Sequence, residues 1–197
     1  MVHRMLISLI AGLCLVGGLF ASGTYVIDPV HSNIGFSVRH MVISNVEGEF
    51  QEVDAVLTWD EDNPENSAIK ATVQTSSIDT DNEKRDNHLR SADFFDSETH
   101  PEMTFESKNI KKVDENEYIA KGDLTIRGIT REVEVPITIL GKIKDPYGNT
   151  RIGAQSSFVV NRHDFNLNWN KMLESGGLVV GEDVKINLDV QMIKQSD

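Results

Sequence analysis

Apolar and polar residues alternate with period two along most of this chain. Ile34, Phe36, Val38 and His40 fall on one side of an extended segment, with Asn33, Gly35, Ser37 and Arg39 on the other. Val133, Val135, Ile137 and Ile139 oppose Glu132, Glu134 and Thr138. Val184, Ile186, Leu188, Val190 and Met192 oppose Lys185, Asn187, Asp189 and Gln191. The alternation returns in Ile69, Ala71 and Val73, in Met103 and Phe105, in Leu124 and Ile126, and in Ile152, Ala154, Ser156 and Phe158. This is the pattern of antiparallel strands buried on one face.

Turn chemistry separates the runs. Asp60-Glu61-Asp62-Asn63-Pro64 and Asp145-Pro146-Tyr147-Gly148-Asn149 read as loops. Arg127-Gly128, between two alternating runs, reads as a tight hairpin. Pro136 lies inside a strand run and should face an edge or a bulge, because it has no N–H to give a ladder. Asn82 to Ala92 departs from the pattern: it lacks β-branched residues and predicts a short helix. Asp81 is the expected cap, and Asp86 and Arg90 are spaced to pair on one face. "NRHDFNLNWNKMLESGG" reads as an exposed loop with at most a short helix.

Seven or eight strands around one short helix suggest an all-β, antiparallel closed barrel, since closure removes exposed edges. The inward positions include the small Ala71, Ala120, Gly122, Ala154 and Ser156 and the modest Val73, which leave room for a cavity. A barrel of about eight strands is wide enough to hold one small ligand. A well-filled sandwich fits the same alternation.

The N-terminus adds a destination. His3 and Arg4 precede an apolar run from Met5 to Phe20, and Ala21-Ser22-Gly23 supplies small residues. Residues 1–23 therefore read as a signal peptide removed near Ala21–Thr24, with an uncleaved anchor as the alternative. The lone cysteine, Cys14, lies within it and follows Leu13 rather than a small residue, which argues against a lipid anchor there. The remaining segment 24–197 is one domain in size, contains no cysteine and excludes a disulfide framework. Its charge is −13: 18 Lys and Arg remain after Arg4 is lost, against 31 Asp and Glu. That balance repels phosphate backbones and excludes general nucleic-acid binding.

Candidate chemistry concentrates in "KRDNHLRSADFFD", residues 84–96. His88 with Asp86 or Asp93 could form an acid–base pair. The stronger reading is a lid: Leu89, Phe94 and Phe95 form an apolar underside, while Arg85, Asp86 and Arg90 fix its angle. Arg85, His88 or Arg90 could then meet a polar head at a pore mouth. His31, His40, His88, His100 and His163 have no close metal-binding spacing, and no G-x-S-x-G elbow is present. His40 is in phase with an inward face, as a core histidine or a head-group contact. Phe36, Phe50, Phe94, Phe95, Phe105, Phe158, Phe165 and Trp169 together suit the wall of an apolar tunnel.

Four ordered blocks carry a resemblance. "YVIDPVHSNIGFSVRHMVISNVEGEF", "SSIDTDNEKRDNHLRSADFFDSETHPEMTFES", "GDLTIRGITREVEVPI" and "GAQSSFVVNRHDFNL" closely resemble the YceI-like family of lipid- or polyisoprenoid-binding proteins. The resemblance runs from about Thr24 to Lys194. It implies a lipocalin-like barrel around an apolar pore that takes an isoprenoid or other long-chain lipid. It also implies periplasmic export, and dimers in some members. One position departs: Asn166 stands where a glycine commonly follows the phenylalanine, and Asn tolerates left-handed backbone better than most residues.

The expectation is an exported carrier for a quinone or polyprenyl phosphate type of lipid, not an enzyme, with an exported enzyme or a metal-handling or structural protein as alternatives. No cofactor is required beyond the bound isoprenoid. Transient membrane contact and a homodimer are open. The expected cavity wall or mouth comprises Phe36, Val38, His40, Phe50, Ala71, Val73, Arg85, His88, Leu89, Phe94, Phe95, Phe105, Ala154, Phe158, Phe165 and Trp169.

Overall fold

A computed structural model describes residues 23–174 and 176–195. The expected signal peptide, Cys14 included, lies outside the described residues except for Gly23. The strand segments are β1 (Gly23–Ile27), β2 (Asn33–His40), β3 (Ser44–Phe50), β4 (Val53–Trp59), β5 (Ala68–Gln74) and β6 (Ile78–Asp79). They continue with β7 (Glu102–Lys112), β8 (Glu117–Ile126), β9 (Ile129–Lys144), β10 (Thr150–Asn161) and β11 (Val180–Lys194). The helix α1 spans Glu83–Arg90, between β6 and β7.

Hydrogen bonding closes a ring of eight antiparallel strands, in the order β1-β4-β5-β7-β8-β9-β10-β11 and back to β1. The protein is therefore a barrel and not a sandwich. The eleven segments reduce to eight because three strand lines are interrupted. β11 pairs β1 through Ile27–Met192 and β2 through Val38–Val184, so β1 and β2 form one line broken by a 3-10 turn at Pro29–His31. Pro29 cannot donate to a ladder, and the Asp28 side chain caps the turn by accepting from Val30 N at 3.2 Å. β3 and β4 continue one another in the same way across Gln51–Glu52, and β5 and β6 across a turn at Thr75–Ser77.

The alternation read from the sequence sets the inside of the ring. Arg127 and Gly128 have φ of 50° and 70°, the double left-handed geometry of the tightest hairpins, and they join β8 to β9. Pro136 pairs with β8 opposite Ile119, while the β9–β10 ladder ends at Thr138–Gln155. The proline thus sits just where β9 loses its second neighbour. Phe165 and Leu167, from the segment that follows β10, pack beside Ile129 and Phe158 in this region.

Each end of the barrel has its own cluster. Tyr25, Leu57, Trp59, Ile110, Tyr118, Val135, Ile152 and Met192 pack into a floor. Phe94, Val160, Phe165 and Leu167 pack into the opposite closure, with Leu89 and Phe95 against them. At this second end α1 crosses the barrel. Its cap is Asn82, not Asp81: Asn82 Oδ1 accepts from Arg85 N at 3.0 Å, whereas Asp81 takes a left-handed φ of 58° just before it. The expected Asp86–Arg90 pair does not form either. Asp86 is buried and turns back to Thr80, accepting from its N at 3.0 Å and its Oγ1 at 2.5 Å. Arg90 donates to the carbonyls of Ser76 and Ile78 at 2.7 and 2.6 Å. Both groups anchor the helix more firmly by satisfying backbone groups than by pairing in solvent.

Candidate functional site

The barrel encloses a cavity of about 320 Å³ between the floor and the α1 closure. Its wall is apolar and draws on every strand of the ring. β2 contributes Ile34, Phe36 and Val38; β5 contributes Ile69, Ala71 and Val73; β11 contributes Val180 and then every second residue from Val184 to Met192. Phe36, Phe50 and Phe95 form a chain of rings, with centroids 5.8 and 5.7 Å apart and the second pair nearly perpendicular. Edge-to-face contacts of this kind fix ring positions beyond what burial alone does. At the floor Trp59 and Tyr118 meet edge to face.

Of the residues expected at the wall or mouth, Phe36, Val38, Phe50, Ala71, Val73, Leu89, Phe94, Phe95, Phe105, Ala154, Phe158 and Phe165 line this cavity. His40, Arg85, His88 and Trp169 do not. His40 keeps phase with Val38, but the β2–β11 register shifts between the Val38–Val184 and His40–Val180 pairs, and His40 is left off the wall. Arg85 is committed to Thr80, donating to its Oγ1 and its carbonyl at 2.7 Å each. His88 and Trp169 stack outside the wall. The imidazole meets the rings of Phe94 and Trp169 edge-on at 5.1 and 4.8 Å, and its Nε2 lies 2.8 Å from Asp93 Oδ2.

Small inward residues account for only part of the space. Gly122 leaves none free, because a Cβ there would lie 2.8 Å from the Phe105 ring and 2.4 Å from the Glu106 carbonyl. Ala120 is fully buried in the floor cluster. Ala71 and Ala154 remain on the open wall. At Asn166 the backbone is left-handed, with φ 57° and ψ 25°, so asparagine preserves the turn.

Two polar residues of the wall are Ser156, which the sequence placed inward, and Arg162, which it did not single out. Ser156 Oγ is buried in the lining without a hydrogen-bond partner. Arg162 is only 4 % exposed and also lines the cavity. Its guanidinium donates to the carbonyls of Gly181, Leu167, Trp169 and Val180. Burial pushes its pKa down from the usual arginine value, with the exposed Glu182 opposing at longer range. A signal for it existed: Ser156, Phe158 and Val160 count inward by twos, and the next step is Arg162. Among the described residues no three His, Cys, Asp or Glu side chains gather to hold a metal ion.

Residues 25–192 match the family model of the YceI-like domain. The chain belongs to the YceI-like family. A UPF0312 protein of Staphylococcus epidermidis is 39% identical over 165 residues, covering 83% of this chain and 94% of that one. The Campylobacter jejuni YceI protein is 30% identical in its crystal structure, with a TM-score of 0.69 over 86% of this chain and 97% of that one. A polyisoprenoid binding domain from Saccharophagus degradans, implicated in plant cell wall breakdown, shares the fold at 13% identity, with a TM-score of 0.63 over 89% of this chain and all of that one. YceI-like proteins thus keep this barrel while most of its side chains change.

Proposed function

We propose that this YceI-like protein is an exported carrier that holds the chain of a long-chain isoprenoid lipid, of the quinone or polyprenyl phosphate type, inside its barrel. The observation that carries this reading is the barrel cavity of about 320 Å³ with an apolar wall. Each CH₂ moved there from water contributes roughly 0.8 kcal/mol, so a long chain binds tightly with few polar contacts. The polyisoprenoid binding domain of the same fold supports the choice of ligand class. The His88–Asp93 pair lies outside the wall, which favours a carrier over an enzyme acting on cavity-bound substrate. Export to the periplasm or beyond, and transient contact with a membrane for loading, belong to the same proposal. A homodimer is compatible with it.

Native mass spectrometry of the detergent-free protein from its own host, followed by solvent extraction, tests the reading. A one-to-one long-chain isoprenoid supports it. An empty barrel that takes up neither added quinone nor polyprenol overturns it.

A further inference from the structure

The turn between β2 and β3 holds apolar side chains on a backbone that does not favour them. Met41 and Val42 have φ of 50° and 68°. Hairpin positions of this kind ordinarily carry asparagine or glycine, and a β-branched residue there is strained. Strain of that sort concentrates at functional sites. The core does not use these side chains: Met41, Val42 and Ile43 are all exposed, Ile43 to 83 %. A second segment meets them. Met41 N donates to the Val179 carbonyl at 2.8 Å, and a Cβ on Gly177 would lie 3.2 Å from Val42 Cγ2. Met172, also 83 % exposed, forms a β-bridge with Leu178 beside them. Met41, Val42, Ile43 and Met172 thus stand out together as an apolar tip.

The tip adjoins the α1 end of the cavity. Val180, a wall residue, pairs with His40, and Leu167, another, leads through Trp169 and Lys171 to Met172. Trp169 is half-buried, with Lys171 Nζ 5.8 Å from its ring centre. An apolar tip flanked by a tryptophan and a lysine matches the layers of a bilayer surface, hydrocarbon inside and headgroups outside. We propose that Met41, Val42, Ile43 and Met172 dock this end of the protein on a lipid bilayer, so that an isoprenoid passes between membrane and cavity without crossing water. This rests on the carrier reading and names the surface by which the carrier meets its membrane. The attraction comes from the apolar side chains, because the chain as a whole is strongly acidic and is repelled by an anionic leaflet. The opposite end offers no such path: its β9–β10 turn exposes Tyr147, but no residue from 140 to 153 lines the cavity.

Flotation of the purified protein with phosphatidylcholine vesicles, and its transfer of geranylgeraniol between them, test this. Val42→Asn combined with Ile43→Ser removes two apolar side chains and puts asparagine where the left-handed backbone suits it, so the variant should fold with no loss of Tm. Both flotation and transfer rate should fall by about fivefold or more. Uptake of geranylgeraniol delivered by cyclodextrin should be unchanged, because neither residue lines the cavity. Met172→Ser should weaken flotation to a smaller extent, and Tyr147→Ser should leave it as it is. A wild type that does not float with vesicles overturns the inference, as does flotation that survives in the double variant or is lost equally in Tyr147→Ser. A wild-type dimer that the double variant turns into a monomer, with vesicle binding unaltered, makes the tip a contact between two copies and also overturns it. If the wild type takes up no geranylgeraniol from cyclodextrin, the carrier reading itself fails, an outcome distinct from uptake without docking.

Discussion

The Trp59 and Tyr118 rings meet edge to face, 5.0 Å apart at 79°, and seal the end of the barrel opposite the helix. Each is at most 7 % exposed, and they come from β4 and β8, which are not neighbours in the sheet. The pair therefore ties opposite walls across the interior. Removing the larger ring leaves a cavity that the stiff sheet cannot collapse. Trp59→Ala should lose about 3–5 kcal/mol of unfolding free energy, read from urea denaturation followed by circular dichroism. A loss below about 1 kcal/mol would show that the floor is not held by this contact.

Ala71 and Ala154 are the small residues that keep the open wall open. Ala71 sits opposite Phe105 in the β5–β7 ladder, and Ala154 lies between Ile139 of β9 and Val190 of β11. An indole at either site projects into the cavity. Ala71→Trp and Ala154→Trp should abolish uptake of a long-chain isoprenoid while the far-ultraviolet spectrum stays that of a β-sheet. The overpacking should cost about 1–3 kcal/mol, so folding and binding are measured separately. Unchanged uptake in both variants would place the cargo elsewhere.

The ring of strands was legible because burial on one face leaves a period-two trace that no helix imitates. Val133 to Ile139 and Val184 to Met192 point as that trace required. Alternation alone left a barrel and a sandwich both open; the resemblance pointed to the barrel, and the β1–β11 pairing closes it. The wall residues were found where phase alone fixed them. His40 does not line the cavity although it keeps phase with Val38, because the β2–β11 register shifts between Val184 and Val180. Arg85 and His88 lie off the wall because a helix shows several faces, and hydrogen bonds to Thr80 and Asp93 choose among them. Arg162 escaped because arginine reads as surface unless its carbonyl partners, spread over residues 167–181, are already in place.

Asp86 tests whether α1 is anchored as a lid. Its carboxylate is 5 % exposed and satisfies both the N–H and the hydroxyl of Thr80. Asp86→Ala leaves those donors without this acceptor, at a cost of about 1–3 kcal/mol. The loss should be local. Amide exchange across 83–95 should quicken while that of β8 and β11 stays slow, and lipid release should speed up with it. Uniform quickening of exchange would instead make Asp86 part of the global core.

Arg151 joins two carboxylates at the floor end, and its effect depends on pH. Its Nη1 lies 2.6 Å from Asp28 Oδ2 and its Nε 2.7 Å from Asp145 Oδ2. The guanidinium is the main cause that holds both carboxyl groups below the ordinary aspartate range. His31, 2.9 Å from Asp28, adds to the effect on that residue. A carboxylate with a lowered folded pKa stabilises the protein above its unfolded pKa, about 4 for aspartate. That contribution fades as pH falls through the folded value. Arg151→Gln should therefore lower Tm at pH 7, and the gap from wild type should narrow steadily as pH falls below about 4. Thermal melts across pH 2–8 measure it. A gap independent of pH would mean that Arg151 stabilises β10 through packing, with no contribution from its two aspartates.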